Sequence, residues 1–403
     1  MKIDWMNRRN CMKLLGGALF GSGIAAHSQQ SPPIKPGVTP GTTAGAAPYP
    51  RPDHIKIPDP LTKDMTGINA DALLLRDYRP VSVYKIPVSY IPRAKYPVTD
   101  MHCHGVQRPD QVDSWVKMMD DANIEMATIF TQGSDAKSFN ARRAWYSKYP
   151  DRFHFFGTIA WPGVGQQAKT KPEGGVASVL RGIEELRHEG ALGLGELSGV
   201  RAAADPELAP VWDRCGELGL VVELHPAVFP WQYLPPDNHN DGLMNGYFPG
   251  PQQTMADYEE ILQTMDRWIG NHPKTTFLMC HLAGLPTDLT RLGGYLDKHP
   301  NMFVENSAEW DEVCTTPRAT LAFYKKYADR VMFGTDIPYY PRMFATGFRI
   351  MESLDEHFYE QDLFFNFNYH WPMYGLGLPD DVLKKVYHDN PRALFARAKR
   401  NAA

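Results

Sequence analysis

Residues 97–105 have the sequence PVTDMHCHG, in which a run of β-forming residues begins after a proline and ends at a glycine. This composition predicts a short β-strand. His102 and His104 stand two positions apart, so both side chains would project from the same side of that strand. Two neighbouring imidazoles at a strand end can hold one metal ion. A single His-x-His pair is a weak signal, because surface or core histidines produce it by chance, and its meaning depends on what the other strands provide.

The chain after residue 96 alternates between short apolar runs and amphipathic stretches. This order is typical of a parallel sheet covered by helices. We predict eight strands, at 97–104, 126–131, 153–160, 191–197, 220–225, 275–281, 301–306 and 331–336. The predicted helices lie at 111–122, 136–148, 176–188, 207–218, 256–270, 289–299 and 317–327. The sequence therefore predicts an α/β fold, a (β/α)8 TIM barrel, in which chemistry takes place at the C-terminal ends of the strands.

Polar side chains stand at the ends of five of these predicted strands. The histidine pair ends the first strand, Glu196 the fourth, His225 the fifth, His281 the sixth and Asp336 the eighth. Each of them follows an apolar run. Because the C-terminal ends of barrel strands meet at one face, we expect these side chains to converge there.

Such a set of imidazoles and carboxylates combines nitrogen and oxygen ligands. It suits Zn²⁺, with Mn²⁺ or Fe²⁺ as alternatives, and leaves room for a bound water. An ion in this place would lower the pKa of that water towards neutrality and polarise a substrate oxygen. Asp336 would either ligate the ion or act as a base beside the water. The residues thus predict one divalent metal ion as the cofactor.

The ordered motifs resemble the amidohydrolase superfamily. They are His-x-His at 102–104, His225, the segment CHLAG at 280–284 and the segment GTDIP at 334–338. The segments HPNMFVENS at 299–307 and DNPRALF at 389–395 are similar to the seventh strand and the final helix of the amidohydrolase-related branch, which includes aminocarboxymuconate-semialdehyde decarboxylase. The resemblance extends over residues 97–398 and is specific for the superfamily rather than for a substrate.

The resemblance implies a division of roles within the site. It makes His102, His104, His225 and Asp336 the ligands of one divalent ion, and His281 the acid/base residue beside the water. Residue chemistry permits the same division, because a histidine next to an already satisfied ion is well placed to move a proton. That chemistry leaves open that His281 is a further ligand or a structural histidine.

Glu196 allows two interpretations. We favour a single ion with Glu196 outside the ligand set, where it either supports the ligands or contacts the substrate. The alternative is a two-metal site that includes Glu196. Arg108, after the first strand, and Arg201, after the fourth, are candidate anchors for a substrate carboxylate. Asp100 and Glu223 each stand two positions before a histidine of the same strand, so their side chains face the same side of it. We therefore expect them inside the barrel, where they would orient the ligands.

The N-terminal part of the chain is typical of an export signal followed by a linker. Residues 7–13, NRRNCMK, resemble the twin-arginine motif, and an apolar run at 14–26 follows that is too short for a stable membrane span. We predict a signal for the twin-arginine (Tat) export machinery at 1–28, a Pro/Gly-rich linker and extended arm at 29–95, and the barrel at 96–403. The protein would then be periplasmic or otherwise exported from a bacterium. The alternative is a tail with a chance arginine pair.

The composition favours a small-molecule partner. The net charge of −4, the pI near 6.4 and the lack of a basic run argue against nucleic acid as a partner. Aromatic residues cluster at 226–255 and 364–374, which predicts an aromatic-lined pocket, a lid or a contact in a homo-oligomer. The cysteines after the signal show no CxxC spacing and predict buried thiols.

The favoured function is hydrolysis of an amide, ester or lactone bond through a metal-activated water. The first alternative is non-oxidative decarboxylation of an aromatic or unsaturated carboxylic acid, which the resemblance also permits. Decarboxylation needs a cationic clamp near the metal, so an inward-pointing Arg108 or Arg201 would favour it. The second alternative is a non-catalytic binding protein on a barrel scaffold, against which the full set of site residues argues.

Overall fold

The computed structural model describes residues 82, 84–164, 168–226, 255–338, 343–359 and 371–401. The predicted export signal at 1–28 and most of the predicted linker and arm lie outside these residues. So do nearly all of the aromatic-rich loop at 226–255 and residues 364–370 of the second aromatic cluster. These interpretations stay predictions.

The strands form one parallel sheet. They are β1 Val98–Gly105, β2 Ile124–Phe130, β3 Phe153–Gly157, β4 Gly193–Ser198, β5 Val221–His225, β6 Thr276–Met279, β7 Met302–Glu305, β8 Val331–Met332 and β9 Ile337–Pro338. Each strand from β1 to β7 pairs in parallel with the next strand along the chain. The third strand is shorter than predicted and ends at Gly157.

The two shortest strands together act as the eighth strand of a barrel. β8 pairs with β7, while β9 pairs with β1. Between them, the backbone N–H of Asp336 donates to the carbonyl of His102 over 2.8 Å, and the N–H of Met101 donates to the carbonyl of Phe333 over 3.0 Å. The segment 331–338 therefore contacts both of its neighbours and nearly closes the sheet. The predicted eight-stranded parallel barrel is confirmed.

Helices follow the strands as the sequence pattern predicts. They are α1 Val112–Ala122, α2 Ala136–Arg143, α3 Gly175–His188, α4 Val200–Ala203, α5 Ala209–Leu218, α6 Met255–Asn271, α7 Leu289–Lys298, α8 Trp310–Val313, α9 Pro317–Lys326, α10 Met343–Glu352, α11 Asp380–Lys384 and α12 Asn390–Asn401. Their ends follow ordinary rules: α5 stops at Gly219, whose φ is 67°, and the Asp288 side chain caps α7 by accepting from the N–H of Arg291. The predicted helix at 136–148 ends early, because a 3₁₀ turn at Ala144–Tyr146 replaces its last part.

Residues 84–97 precede β1 without helix or strand. The N–H of Ala94 donates to the carbonyl of Ala122, at the end of α1, over 3.0 Å. Ser89 donates to Asp355 through its N–H (2.6 Å) and its hydroxyl (2.8 Å). This segment is thus tied to the outside of the barrel at two places. Within the described ranges, no helix combines the length and the apolarity needed to cross a membrane.

The last helix covers an apolar cluster inside the barrel and is held there by one buried asparagine. Leu394 and Phe395 of α12 pack against Met101, Phe130 and other side chains of that cluster. At the start of α12, Asn390 is 4% exposed, and its side-chain amide donates to two carbonyl groups beside β8, each over 2.7 Å. This amide therefore links the final helix to the strand that closes the barrel.

We predict that Asn390→Ala lowers the free energy of unfolding by about 2–3 kcal/mol, because two buried carbonyl groups lose their donor. Arg392→Ala is the matched control on the same helix: its side chain is 61% exposed and pairs with Glu125, so we expect a change below about 1 kcal/mol. Urea unfolding monitored by circular dichroism measures both. Equal effects of the two substitutions would contradict the role of the amide.

Candidate metal centre

The structure brings six of the predicted site residues to the C-terminal ends of five barrel strands. His102 and His104 lie on β1 and Glu196 on β4. His225 is the last residue of β5, and His281 follows β6. Asp336 lies between β8 and β9.

Four of these residues form a first group of candidate ligands: His102, His104, Glu196 and Asp336, whose ligand atoms all lie within 4.8 Å of one another. The Nε2 atoms of His104 and His102 lie 2.7 and 3.3 Å from the Oδ1 atom of Asp336. The Oε2 atom of Glu196 lies 3.7 Å from the Nε2 atom of His102 and 3.9 Å from that of His104. Two imidazoles and two carboxylates thus face a common point.

A second group consists of Glu196, His225 and His281, whose ligand atoms also lie within 4.8 Å of one another. The Nε2 atom of His281 is 3.7 Å from the Oε1 atom of Glu196, and the His225 and His281 rings are 4.7 Å apart at their centroids. Glu196 therefore presents one carboxylate oxygen to each group. His225, which the family resemblance places with the ligands on β1, belongs to the second group by distance.

Hydrogen bonds fix which ring nitrogen of two histidines faces the centre. The Nδ1 atom of His281 lies 2.9 Å from the carbonyl oxygen of Ser307, which can only accept, so Nδ1 carries the hydrogen. The Nδ1 atom of His102 lies 3.0 Å from the Oε1 atom of Glu305. In both rings Nε2 is left to face Glu196, which is the nitrogen that a metal ion or a proton would take.

The buried polar atoms fit a divalent ion. His102 is 0% and Glu196 4% exposed, and in the described part of the chain neither the Nε2 atom of His102 nor the Oε2 atom of Glu196 has a hydrogen-bond partner. Buried polar atoms in native proteins nearly always have one. A cation between these atoms would satisfy both, and the mixture of imidazole nitrogen and carboxylate oxygen suits Zn²⁺, Mn²⁺ or Fe²⁺.

The carboxylates of the centre stay ionised although they are buried. Burial raises the pKa of Asp336, but the imidazoles of His102 and His104 outweigh it and hold this pKa well below its usual range. Glu196 behaves alike, since its contacts with His102 and His281 overcome burial and lower its pKa. Burial in turn lowers the pKa of His102, but the negative charges around the ring prevail and raise it. In the absence of a metal ion, a proton on His102 balances the negative charge of the carboxylates. Binding of a metal ion would release this proton.

Burial raises the pKa of two further carboxyl groups beneath the ligands. Asp100 is 1% exposed, and burial raises its pKa to about 7 even though it accepts from the Thr335 hydroxyl over 2.7 Å. Glu223 is 0% exposed, and burial raises its pKa well above the usual range. These two groups thus differ from Asp336 and Glu196, whose contacts with imidazoles lower the pKa.

The backbone is strained where two site residues are attached. His281 and Asp336 have φ values of 55° and 59°, in the left-handed region. Leu282, Ala283 and Gly284 continue with positive φ, so 281–284 make one left-handed turn. For residues other than glycine this conformation costs about 1–2 kcal/mol each. Such strain persists only where the surroundings enforce it, and it is common at functional sites.

The side chains of the two predicted substrate anchors are exposed; Arg108 lies in the loop after β1 and Arg201 in the short helix α4. Arg108 is 67% exposed in its side chain and pairs with Asp110. Arg201 is 47% exposed and pairs with Glu260. No ion pair between either arginine and the residues of the two candidate ligand groups is present in the described ranges.

Glu305 is a site residue that the sequence reasoning did not single out. It ends β7, is 0% exposed, and contacts His102 directly. The signal was available, because a carboxylate ends an otherwise apolar strand in the same way as the residues that were recognised.

Several solved structures are similar to this chain at low sequence identity. An uncharacterised TIM-barrel protein from Bordetella bronchiseptica is 16% identical with a TM-score of 0.48, over 75% of this chain and 100% of that one. A probable 2-pyrone-4,6-dicarboxylic acid hydrolase from Acinetobacter baumannii is 13% identical with a TM-score of 0.43, over 74% and 99%. An amidohydrolase from Burkholderia multivorans with bound zinc is 11% identical with a TM-score of 0.43, over 74% and 99%. No curated protein matches the sequence.

A family model that matches the sequence shows the family relationship. The model of the family described as "Amidohydrolase" matches residues 98–397. This match begins at the first residue of β1 and ends within α12, so it includes every strand that contributes to the centre. The resemblance inferred from the motifs is thereby confirmed at the level of the family: the chain belongs to the amidohydrolases.

Proposed function

We propose that this protein is a metal-dependent hydrolase that cleaves an amide, ester or lactone bond. The observation that carries the proposal is the pair of ligand groups, in which the Nε2 atom of His102 faces the Oε2 atom of Glu196 and neither buried atom has a hydrogen-bond partner in the described part of the chain. A divalent ion bound there would lower the pKa of water and polarise a carbonyl group. His102, His104 and Asp336 would hold it, with His225 as the further ligand that the family resemblance implies.

His281 is suited to move the proton of the reaction. Its Nδ1 hydrogen is engaged by the Ser307 carbonyl, so Nε2 is the atom that accepts and returns a proton. The Oε1 atom of Glu196 lies 3.7 Å from this nitrogen, and its negative charge stabilises the imidazolium while the proton is held. The fixed ring orientation keeps this nitrogen directed at the ligand groups.

Hydrolysis is favoured over decarboxylation by the placement of the arginines. A decarboxylase needs a cation close to the metal to hold the substrate carboxylate. Arg108 and Arg201 are exposed and pair with Asp110 and Glu260. We therefore keep decarboxylation as the alternative, and a non-catalytic binding protein as the less supported one.

One zinc ion remains the proposed cofactor, with manganese or iron as substitutes. The position of Glu196 supports the two-ion alternative, because each of its oxygens faces a different ligand group. The stoichiometry of bound metal separates these two proposals.

We predict that the purified protein binds about one equivalent of zinc and that Asp336→Asn weakens binding more than about tenfold, because an ionised ligand is lost. His272→Asn is the control: this histidine is also buried, but it bonds to Asp213 away from the ligand groups. Elemental analysis and chelator competition measure both. Less than about a tenth of an equivalent in the wild type, with no gain on adding Zn²⁺ or Mn²⁺, would reject the metal-dependent function, and about two equivalents would favour the two-ion site.

We expect His281→Asn to lower kcat by about 10²–10⁴ while metal content stays unchanged, because the proton acceptor is lost but the first ligand group is intact. Single-turnover kinetics and elemental analysis of the same preparation provide the measurement. If the variant loses its metal, His281 is a ligand and its assigned role is wrong.

The type of reaction is tested by a screen of lactones, N-acyl amino acids and hydroxybenzoates in ¹⁸O-labelled water. We expect turnover of a lactone, ester or amide with one ¹⁸O atom in the product carboxylate, because water is the nucleophile. Release of CO₂ from a hydroxybenzoate, with no ¹⁸O in the aromatic product, would establish the decarboxylase alternative instead.

A further inference from the structure

The Glu305 carboxylate accepts four hydrogen bonds beneath the ligand groups. Its Oε1 atom accepts from the Nδ1 atom of His102 (3.0 Å), from the backbone N–H of His281 (3.1 Å) and from the Ser307 hydroxyl (2.9 Å). Its Oε2 atom accepts from the backbone N–H of Ser307 over 2.5 Å. The carboxylate is 0% exposed, so no solvent competes for these donors. Two of its partners belong to the residues that would bind the metal and move the proton.

The same carboxylate controls His281 through Ser307. The Nδ1 atom of His281 lies 2.9 Å from the Ser307 carbonyl oxygen and 3.0 Å from its hydroxyl oxygen. Glu305 holds both the N–H and the hydroxyl of that serine. The position of the acceptor that fixes the His281 ring therefore depends on Glu305.

A neighbouring carboxyl group shows that proximity alone does not give this role. Glu223 is equally buried, and its Oε1 atom lies 3.4 Å from the same Nδ1 atom of His102. Its hydrogen-bond contact is with the Cys280 thiol at 3.8 Å, and its Oε2 atom has no partner among the described residues. Glu305, with the shorter contact and the additional N–H donors, is the acceptor that determines the orientation of the ring.

The chain leaves space for Glu305 at one glycine. A Cβ atom at Gly334 would lie 2.6 Å from the Oε2 atom of Glu305 and 3.0 Å from the Cβ atom of His102. Any side chain at position 334 would thus displace the carboxylate or the ligand. The glycine of the GTDIP segment keeps this place open.

We propose that Glu305 is a positioning residue: it fixes the ring tautomer of His102 and holds in place the Ser307 carbonyl that fixes the ring of His281. One buried carboxylate would thus align the metal-binding imidazole and the proton-transferring imidazole. The inference rests on the proposed function for the roles of those two histidines. It requires that both rings respond together when Glu305 is changed. Carboxylates that orient metal-binding histidines typically contribute 10–100-fold to metal affinity.

The experiment compares Glu305→Leu with Glu352→Leu in the full-length chain. Leucine is of similar size and removes both acceptor oxygens. Glu352 is the control, because its carboxylate accepts from the N–H of Lys95 and the hydroxyl of Tyr387, away from the ligand groups. Histidine ring ¹⁵N spectra of the metal-free protein, assigned with His102→Asn and His281→Asn, report which ring nitrogens carry hydrogen. Zinc affinity by chelator competition and the thermal midpoint complete the measurements.

We expect Glu305→Leu to shift the Nδ1–H signals of both rings, because His102 loses its acceptor and Ser307 loses the contacts that hold its carbonyl group. Zinc binding should weaken about 10–100-fold, whereas Glu352→Leu should retain both signals and bind zinc within about threefold of the wild type. Unchanged ring signals in Glu305→Leu would overturn the proposal. So would an equal loss of zinc affinity in both variants. If Glu305→Leu does not fold, Glu305→Asp, which keeps the charge but withdraws the acceptor by one methylene, is measured with the same expectations. A wild type that binds no zinc rejects the proposed function, whereas the metal-free ring spectra still decide the role of Glu305.

Discussion

Water does not reach most of the charged groups at the upper end of this barrel, so these groups must neutralise one another. Six ionisable side chains meet there, and His102, Glu196 and His281 are 0%, 4% and 3% exposed. A buried charge without a partner is strongly unfavourable, and removing one member of a buried pair typically costs 3–5 kcal/mol. The parallel barrel meets this requirement by geometry, because the strand ends converge at one face and bring imidazole and carboxylate within 2.7–3.9 Å. A divalent ion completes the same balance.

The sequence predicts the barrel well because its strands are read from local composition. Apolar runs bounded by glycine, proline or polar residues mark each strand, and the strand ends carry His225, His281 and Asp336 where the pattern places them. The eighth strand is less regular than predicted. Between β8 and β9, the N–H of Gly334 donates to the Asn306 side chain, and the N–H of Thr335 donates to Asp100. Side chains from distant segments thus add to the backbone hydrogen bonds there, and no local pattern predicts such partners.

The unpredicted parts of the site depend on contacts between distant segments. Glu305 stands in an ordinary strand motif, and its role follows from donors 203 and 24 positions away in the chain. Arg108 and Arg201 follow correctly predicted strands, but neither lies in a strand, so the sheet does not set the direction of its side chain. Both pair with acidic neighbours on the surface. Side chains at strand ends are predictable from sequence because the sheet sets their direction, whereas the side chains that follow the strands are not.

In the left-handed turn after β6, the contacts of a site residue outweigh the unfavourable backbone conformation that they require. Glycine would remove the strain at position 281, yet it would also remove the imidazole that faces Glu196. The strained turn directs the backbone N–H of His281 towards Glu305 while its ring reaches the Ser307 carbonyl. An extended backbone at this position could not present both groups of one residue to the end of β7. The unfavourable φ of His281 is therefore the conformational cost of holding this residue at two points, its backbone N–H and its ring. Together these contacts keep its Nε2 atom directed at the metal centre.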